Sequence, residues 1–255
     1  MINHDDCMLR ERIVRAYQDQ VFRPRWWSIF CNAFYLIRRG LNETVTRHAH
    51  LLSGAMLDLG CGNKPYRNVI SVREYVGMDV LISGHAQDEK CPDVYYNGSK
   101  FPFRDSSFDS ALCSEVLEHV FEIDAVLSEL GRVLRPGASL MITVPFCWDQ
   151  HEIPYDFGRY TEWGIRHLLE RHGFRIEVQE KTSTHVEALT QLFAAYIYKA
   201  FPAGKVGKIV RAPVISAIFM VGMCASKVLP DSGQLYLNQV IVARRCGILR
   251  PLRNP

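Results

Sequence analysis

Met56-Leu57-Asp58-Leu59-Gly60-Cys61-Gly62-Asn63-Lys64-Pro65 decides the fold of this chain: an apolar run stops at two glycines, where a backbone can lie directly against a ligand. The stretch reads as strand, tight turn and helix. Glycines at 60 and 62 permit dihedrals that other residues resist, and neither carries a side chain that blocks close approach. A dinucleotide fingerprint needs a third glycine where Pro65 stands, and Pro65 suits a first helical turn better than tight packing under a pyrophosphate. Asp58, just inside the strand end, repels a diphosphate and welcomes an ammonium group. These features point to a nucleoside carrying an amino acid.

The chain beyond the turn keeps the same rhythm. Residues 74–80 read as a second strand ending in Asp79, about twenty residues past the glycines, where Rossmann-like sheets place an acid for ribose hydroxyls. Short apolar runs at 93–96, 107–113 and 139–144 give strands three to five, and an amphipathic helix from Ile123 to Leu134 ends at Arg135-Pro136-Gly137. Helix 162–172, with Thr161 as its cap, leads to a sixth strand near 175–179, and 235–243 reads as the last. Alternating strands and helices through 55–145 predict a doubly wound parallel sheet with its ligand at the carboxyl ends of strands one and four.

Leu57-Asp58-Leu59-Gly60-Cys61-Gly62 resembles motif I of the class I S-adenosylmethionine (SAM)-dependent methyltransferases; an ordinary strand-to-helix turn is the plain alternative. The run Pro102-Phe103, Ser107-Phe108-Asp109 and Glu115-Val116-Leu117-Glu118-His119 resembles a segment of small-molecule and glycan methyltransferases. His151-Glu152-Ile153-Pro154-Tyr155-Asp156-Phe157-Gly158-Arg159-Tyr160-Thr161 is similar, position for position, to a signature of methyltransferases from surface-polysaccharide biosynthesis. With Gly-Asn-Lys-Pro-Tyr at 62–66, the resemblance to methyltransferase type 11-like proteins covers most of residues 55–180.

That resemblance implies an α/β fold with a Rossmann-like, seven-stranded, mostly parallel sheet, N-terminal helices and a helical insertion before the last strand. It implies SAM as cofactor, held by Asp58, Gly60, Cys61, Gly62, Asp79, Asn97, Gly98 and Ser114. Asn97 stands where the family usually has an acid facing the adenine amino group, and a neutral oxygen there binds more weakly. The Asn/Asp-Pro-Pro-aromatic box of nucleobase N-methylases is absent, which argues against that chemistry. Glu118 and His119 are read either as catalytic or as a helix-borne pair that orders the loop.

Bulk properties set the outer limits. A chain of 255 residues suits one α/β domain with additions, and a net charge of +3 is too small to argue for nucleic acid. Eight scattered cysteines show no metal-ligand spacing and are expected to be reduced and mostly buried, and no cluster implies a metal. No basic segment followed by an apolar run opens the chain, so the expected location is cytoplasmic. The domain reading is an N-terminal helical extension over 1–52, with an amphipathic helix at 9–21, then a methyltransferase domain over 53–255 that carries a helical insertion at about 182–232.

Two segments fall outside the motifs. Aromatics flanked by arginines between Arg23 and Arg39 suit either a membrane interface or packing on the core beside the cofactor. The insertion holds an apolar helix at about 185–201, a basic connector (Lys199, Lys205, Lys208, Arg211) and fifteen uncharged residues from Ala212 to Ser226, short of the roughly 20 that cross a bilayer. Residues 185–229 are therefore expected to cover the acceptor site or rest on the cytoplasmic face of a membrane, with a buried lid or a dimer interface as the alternative.

The functional expectation is transfer of a methyl group to a hydroxyl oxygen of a sugar or glycan-like acceptor, with no nucleic acid involved. A quinone or other apolar acceptor, and SAM binding without turnover, are the rivals. His151 is the leading proton acceptor and Asp156 the second, because the loop after strand five leaves the sheet edge beside the expected methyl position.

Overall fold

The protein was analysed as a computed structural model, which describes residues 20–81, 90–202 and 204–246. The helix expected at 9–21 lies outside these residues apart from its last two. Two compact units result: residues up to Glu43 with Thr182–Tyr236, and Thr44–Lys181 with the chain from Leu237 onward. The domains expected from the sequence, 1–52 and 53–255 with the insertion at about 182–232 in the second, divide the chain elsewhere.

The larger unit is a seven-stranded sheet in the order β3-β2-β1-β4-β5-β7-β6. The strands are β1 (Ala55–Leu59), β2 (Glu74–Val80), β3 (Val94–Tyr96), β4 (Phe108–Ser114), β5 (Leu134–Pro145), β6 (Phe174–Lys181) and β7 (Asn238–Arg245). β1 is parallel to β2 and to β4, and β4 to β5, whereas β7 runs antiparallel to both β5 and β6. The sheet is thus mostly parallel, as expected. β1 is buried along its whole length, which is why its sequence is a continuous apolar run broken only by Asp58.

One face of β1 contributes Leu57 and Leu59 to a core shared with Val126, Leu127 and Leu130 of a helix at Ile123–Val133. Met56 and Asp58 lie on the other face, away from that core, in register with Tyr75 and Gly77 of β2. Burying one leucine of this kind stabilises the fold by about 1.5–3 kcal/mol.

Several expectations need correction. No helix follows the glycine turn: Lys64 adopts a left-handed φ of 57°, and residues 61–70 form successive turns, with Lys64 N–H donating to the Cys61 carbonyl (2.7 Å) and Arg67 N–H to Lys64 (3.1 Å). A left-handed residue directly before Pro65 is incompatible with a first helical turn. Between β1 and β5 the α-helix at Ile123–Val133 is the one the described residues contain, so the alternation of strand and helix is weaker than the sequence suggested. β5 also begins at Leu134, so Arg135-Pro136-Gly137 lies within the strand, where the β4–β5 register shifts. Of the seven free cysteines among the described residues, Cys61 and Cys113 are buried and Cys31, Cys91, Cys224 and Cys246 are exposed, against the expectation of mostly buried thiols.

The smaller unit contains a 3-10 helix (Trp26–Phe30), the start of α1 (Tyr35–His48), and the helices His185–Ala200 and Lys205–Ala225. Numbered with Ile123–Val133 as α2 and Glu162–Arg171 as α3, these last two are α4 and α5. Its core joins Ile29, Tyr35, Leu36, Ala194, Ile215 and Phe219. Gln191 ties the unit together, its Oε1 accepting from the Leu36 N–H at 3.0 Å and its Nε2 donating to the Ala33 carbonyl at 2.9 Å. The expected basic connector is helical: Lys208 and Arg211 lie inside α5, which runs 21 residues through Pro213. The stretch Gly207–Ala225 is long and apolar enough to cross a membrane by length and composition, so the fifteen-residue count no longer excludes it, and 28% of it is buried.

Candidate active site

The carboxyl ends of β1, β2 and β4 converge on the glycine turn. The N–H groups of Gly60 and Cys61 donate to the Met78 carbonyl at 2.8 and 3.2 Å, and that of Gly62 donates to Asp79 Oδ2 at 2.9 Å. The turn therefore spends its N–H groups on β2, leaving none of these three for a pyrophosphate. Gly60 and Gly62 have φ of 66° and 49°. A Cβ at Gly60 would meet Val116 Cγ2 at 2.3 Å, whereas one at Gly62 or Gly98 would meet no atom within 4 Å. Gly62 and Gly98 thus border open space, and Gly60 is a packing contact with the segment that follows β4.

Asp58 is buried beneath the turn and accepts a short hydrogen bond from the Tyr75 hydroxyl. Burial raises its carboxyl to about 7, against the pull of that hydrogen bond and of Lys64. Burial, together with the neighbouring carboxylates of Asp58 and Asp79, pushes the Cys61 thiol up to about 12, so it is an inert neighbour and no nucleophile. Asp79 Oδ1 accepts from the Val80 N–H at 2.7 Å and the Lys90 ammonium at 3.1 Å. Lys90, itself buried, was missed by sequence reasoning, because nothing in a lone lysine eleven residues past Asp79 marks it as a partner. Asn97 is exposed, with Oδ1 accepting from the Ser99 hydroxyl at 2.6 Å and its N–H at 3.2 Å, and Ser114 Oγ lies 2.9 Å from Thr143 Oγ1.

On the β4 side, residues 151–160 are laced to residues 117–119. Phe157 and Gly158 N–H groups donate to the Glu118 carbonyl at 2.7 and 3.2 Å, the Tyr160 hydroxyl donates to the Leu117 carbonyl at 3.1 Å, and His119 Nδ1 donates to the Tyr155 carbonyl at 2.7 Å. Arg159 clasps Asp156 with both terminal nitrogens, 2.5 Å to Oδ1 and 2.8 Å to Oδ2, and Asp156 Oδ2 also accepts the His151 N–H at 2.9 Å. The Arg159 hydrogen bonds hold the Asp156 carboxyl down at about 2. Thr161 Oγ1 accepts from the Gly164 N–H at 3.0 Å and caps α3, a contact worth about 1 kcal/mol. The polar residues of the signature thus have local structural work: ion pair, hinge to β4 and helix cap.

His151 Nδ1 lies 3.2 Å from the Asp149 carbonyl oxygen, which only accepts, so that nitrogen carries the proton and Nε2 the lone pair; Arg159 Nη2 approaches the same nitrogen no closer than 3.5 Å. Burial, reinforced by His119 and Arg159, lowers its pKa below the ordinary histidine value. Its ring meets that of His119 edge-on at 4.8 Å. Glu118 completes a group whose potential ligand atoms, one from each of Glu118, His119 and His151, lie within 4.8 Å of one another. The Glu118 side chain is fully buried, neither oxygen has a hydrogen-bond partner, and burial followed by the Glu115 charge raises its pKa well above the usual carboxylate value. Their convergence was hidden in the sequence, although each was a candidate there: Glu118 and His119 read as an isolated pair, and His151 lies beyond a whole helix and strand.

Residues 57–142 match a family model described as a methyltransferase domain. A protein described as a probable S-adenosylmethionine-dependent methyltransferase from Mycolicibacterium smegmatis (strain ATCC 700084 / mc(2)155) is 26% identical over 180 residues, 68% of each chain. The O-methyltransferase resE of Aspergillus sclerotiorum is 29% identical over 163 residues, which cover 52% of this chain and 61% of that one. Among solved structures, that of the [4+2]-cyclase SpnF has a TM-score of 0.52 at 18% identity, covering 82% of both chains, a likeness of fold alone.

Proposed function

From a chain that belongs to the class I SAM-dependent methyltransferases, and so is an enzyme that uses SAM, we propose O-methylation of a hydroxylated, glycan-like acceptor. The observation that carries this reading is the Glu118, His119 and His151 cluster, set against the glycine turn through the Gly60–Val116 contact. An alcohol is a poor nucleophile until its proton begins to leave, and the cluster supplies basic groups for that purpose.

The cofactor fits the chain's own features: two left-handed glycines, Gly62 and Gly98, facing open space, and a buried carboxyl, Asp58, that has no cationic hydrogen-bond partner among the described residues. SAM supplies a methyl on a sulfonium already activated for displacement. We assign Asp58 to its ammonium group, Asp79 to its ribose hydroxyls, and Gly60, Cys61, Gly62, Asn97, Gly98 and Ser114 to the surrounding wall. Asn97 must release Ser99 to meet the adenine amino group. With SAM bound as methyl donor, the cluster would draw off the acceptor's hydroxyl proton as the methyl is transferred to its oxygen. His151, with its Nε2 lone pair, is the residue on which that step depends, and Asp156, locked to Arg159, drops out of the role.

Exposed rings beside the cluster support the acceptor class. Phe121 and Phe157 are 75% and 47% exposed and meet edge-on at 5.5 Å, a surface for the apolar face of a sugar. The same rings favour a second reading, a flat apolar acceptor such as a quinone. Screening acceptors with methyl-labelled SAM separates the two. His151→Ala should cut turnover about 10²- to 10⁴-fold with SAM affinity intact, the range for a proton-transfer residue. Near-normal turnover would sink the reading.

We also infer that the smaller unit rests on an anionic membrane surface at the cytoplasmic face. Trp26, Phe193, Tyr196, Ile209, Val221 and Val228 are all more than half exposed, and cations such as Arg23 and Lys208 lie in the same unit. Flotation with anionic liposomes should be strong at low salt and weak at high salt; no flotation in either removes the inference.

A further inference from the structure

A carboxylate taken out of water needs a counter-charge or a donor. Glu118 is fully buried, neither oxygen has a hydrogen-bond partner among the described residues, and His119 Nε2 stands 3.9 Å from Oε1, beyond hydrogen-bond reach. Arg159, the cation whose charge favours an ionised Glu118, is committed to Asp156 through both of its terminal nitrogens. A proton on Glu118 would leave a buried O–H with no acceptor in place of a buried charge with no donor, so protonation alone does not satisfy the site.

The neighbours of Glu118 share a second property. His119 donates its Nδ1–H to the Tyr155 carbonyl at 2.7 Å, and His151 donates its Nδ1–H to the Asp149 carbonyl at 3.2 Å. A carbonyl against one ring nitrogen, with the other left for a ligand, is the way metal-ligating histidines are oriented. His119 Nε2 lies 3.9 Å from Glu118 Oε1 and 3.6 Å from Glu152 Oε1. Glu115, three residues before Glu118, adds negative charge from the end of β4. Two imidazoles and a buried carboxyl thus bring one potential ligand atom each to within 4.8 Å of one another.

We propose that Glu118, His119 and His151 bind one divalent cation of the kind that accepts mixed nitrogen and oxygen ligands, such as Mn²⁺. Open positions remain on such an ion, since three side chains fill half of an octahedral shell. The inference rests on the methyl-transfer reading for its purpose: a cation here draws the acceptor's hydroxyl oxygen as a further ligand and eases loss of its proton, so that His151 acts through the ion. Glu152, beside His119, is the neighbouring carboxylate able to receive that proton.

The test is Mn²⁺ titration of the full chain, read by the loss of the free-ion electron paramagnetic resonance signal and by the shift in Tm. The wild type should bind one Mn²⁺ and gain Tm; Glu118→Gln should weaken binding about tenfold or more, and so should His151→Ala. His151→Ala serves as the second variant if the buried substitution fails to fold, because that side chain is a third exposed. Asp124→Asn, an exposed residue on α2, should bind as the wild type does. Absence of binding in the wild type, or binding unchanged in both site variants, overturns the proposal. Because this readout needs no acceptor, a protein that binds Mn²⁺ at this site yet methylates no hydroxyl supports the cation site and refutes the function above. One that methylates a hydroxyl without binding Mn²⁺ does the reverse.

Discussion

If Asp58 meets the ammonium group of SAM, cofactor binding must be coupled to a proton. In the ligand-free protein burial holds the Asp58 carboxyl at about 7, so below neutrality it is largely protonated and SAM must displace that proton. With a folded value of about 7 and a bound form that stays ionised, affinity should rise about sixteenfold between pH 5.5 and pH 7, or about 1.6 kcal/mol. The window stops at pH 7 because the cofactor's own α-amino group titrates just above it, at about 7.7–8.0 for such amines. Calorimetry in two buffers of different ionisation enthalpy should find about half a proton released per SAM bound at pH 7. Asp58→Asn should lose both the pH slope and the proton release. The stability of the ligand-free protein runs the other way: its Asp58 is raised, so that contribution is present at acidic pH and is lost as pH climbs from about 4 to about 7. Affinity that is flat from pH 5.5 to 7, or a slope that persists in Asp58→Asn, would refute the assignment.

Two further outcomes follow from the glycine turn and the ion pair. Gly62→Ala should cost about 1 kcal/mol of stability, the usual penalty for a side chain in the left-handed region, yet weaken SAM binding about tenfold, whereas Gly60→Ala should chiefly lower Tm because its Cβ runs into Val116. Unchanged SAM affinity in a folded Gly62→Ala protein would move the cofactor elsewhere. The depressed Asp156 carboxyl stabilises the fold above its unfolded value near 4, and that contribution fades as pH falls toward about 2. The gap in urea midpoint between wild type and Asp156→Asn should therefore be widest near pH 6 and shrink to about half by pH 3; a constant gap would show that charge is not what Asp156 contributes.

Much of the sheet was legible because a parallel strand buried on both faces must be written as an apolar run, and Met56–Leu59, Ala111–Cys113 and Leu140–Val144 are such runs. Thr161 could be read as a cap because capping is local. The loop after Gly62 could not, since the left-handed Lys64 depends on contacts such as Lys64 Nζ to Asp93 Oδ1, 2.7 Å away and 29 residues on. Lys90 against Asp79 and His151 beside Glu118 were hidden for the same reason: each pairing exists only once strands distant in sequence lie side by side. The signature at 151–161 was recognised as a pattern, but its physical sense, an aspartate clasped by an arginine and a tyrosine hinged to Leu117, needed the fold.

The lacing between residues 151–160 and 117–119 has a consequence for how such an enzyme can change. Three of its four hydrogen bonds end on main-chain atoms at positions 155, 157 and 158, and the side chains of Ile153, Tyr155 and Phe157 on the same stretch face solvent. Substitutions at these outward positions can remodel what the loop recognises while the backbone bonds that hold His119 and the Glu118 segment stay as they are. Under the proposed function, taste for a new acceptor and the machinery that acts on it would be written into one short loop in separable form, so that the first could drift without dismantling the second.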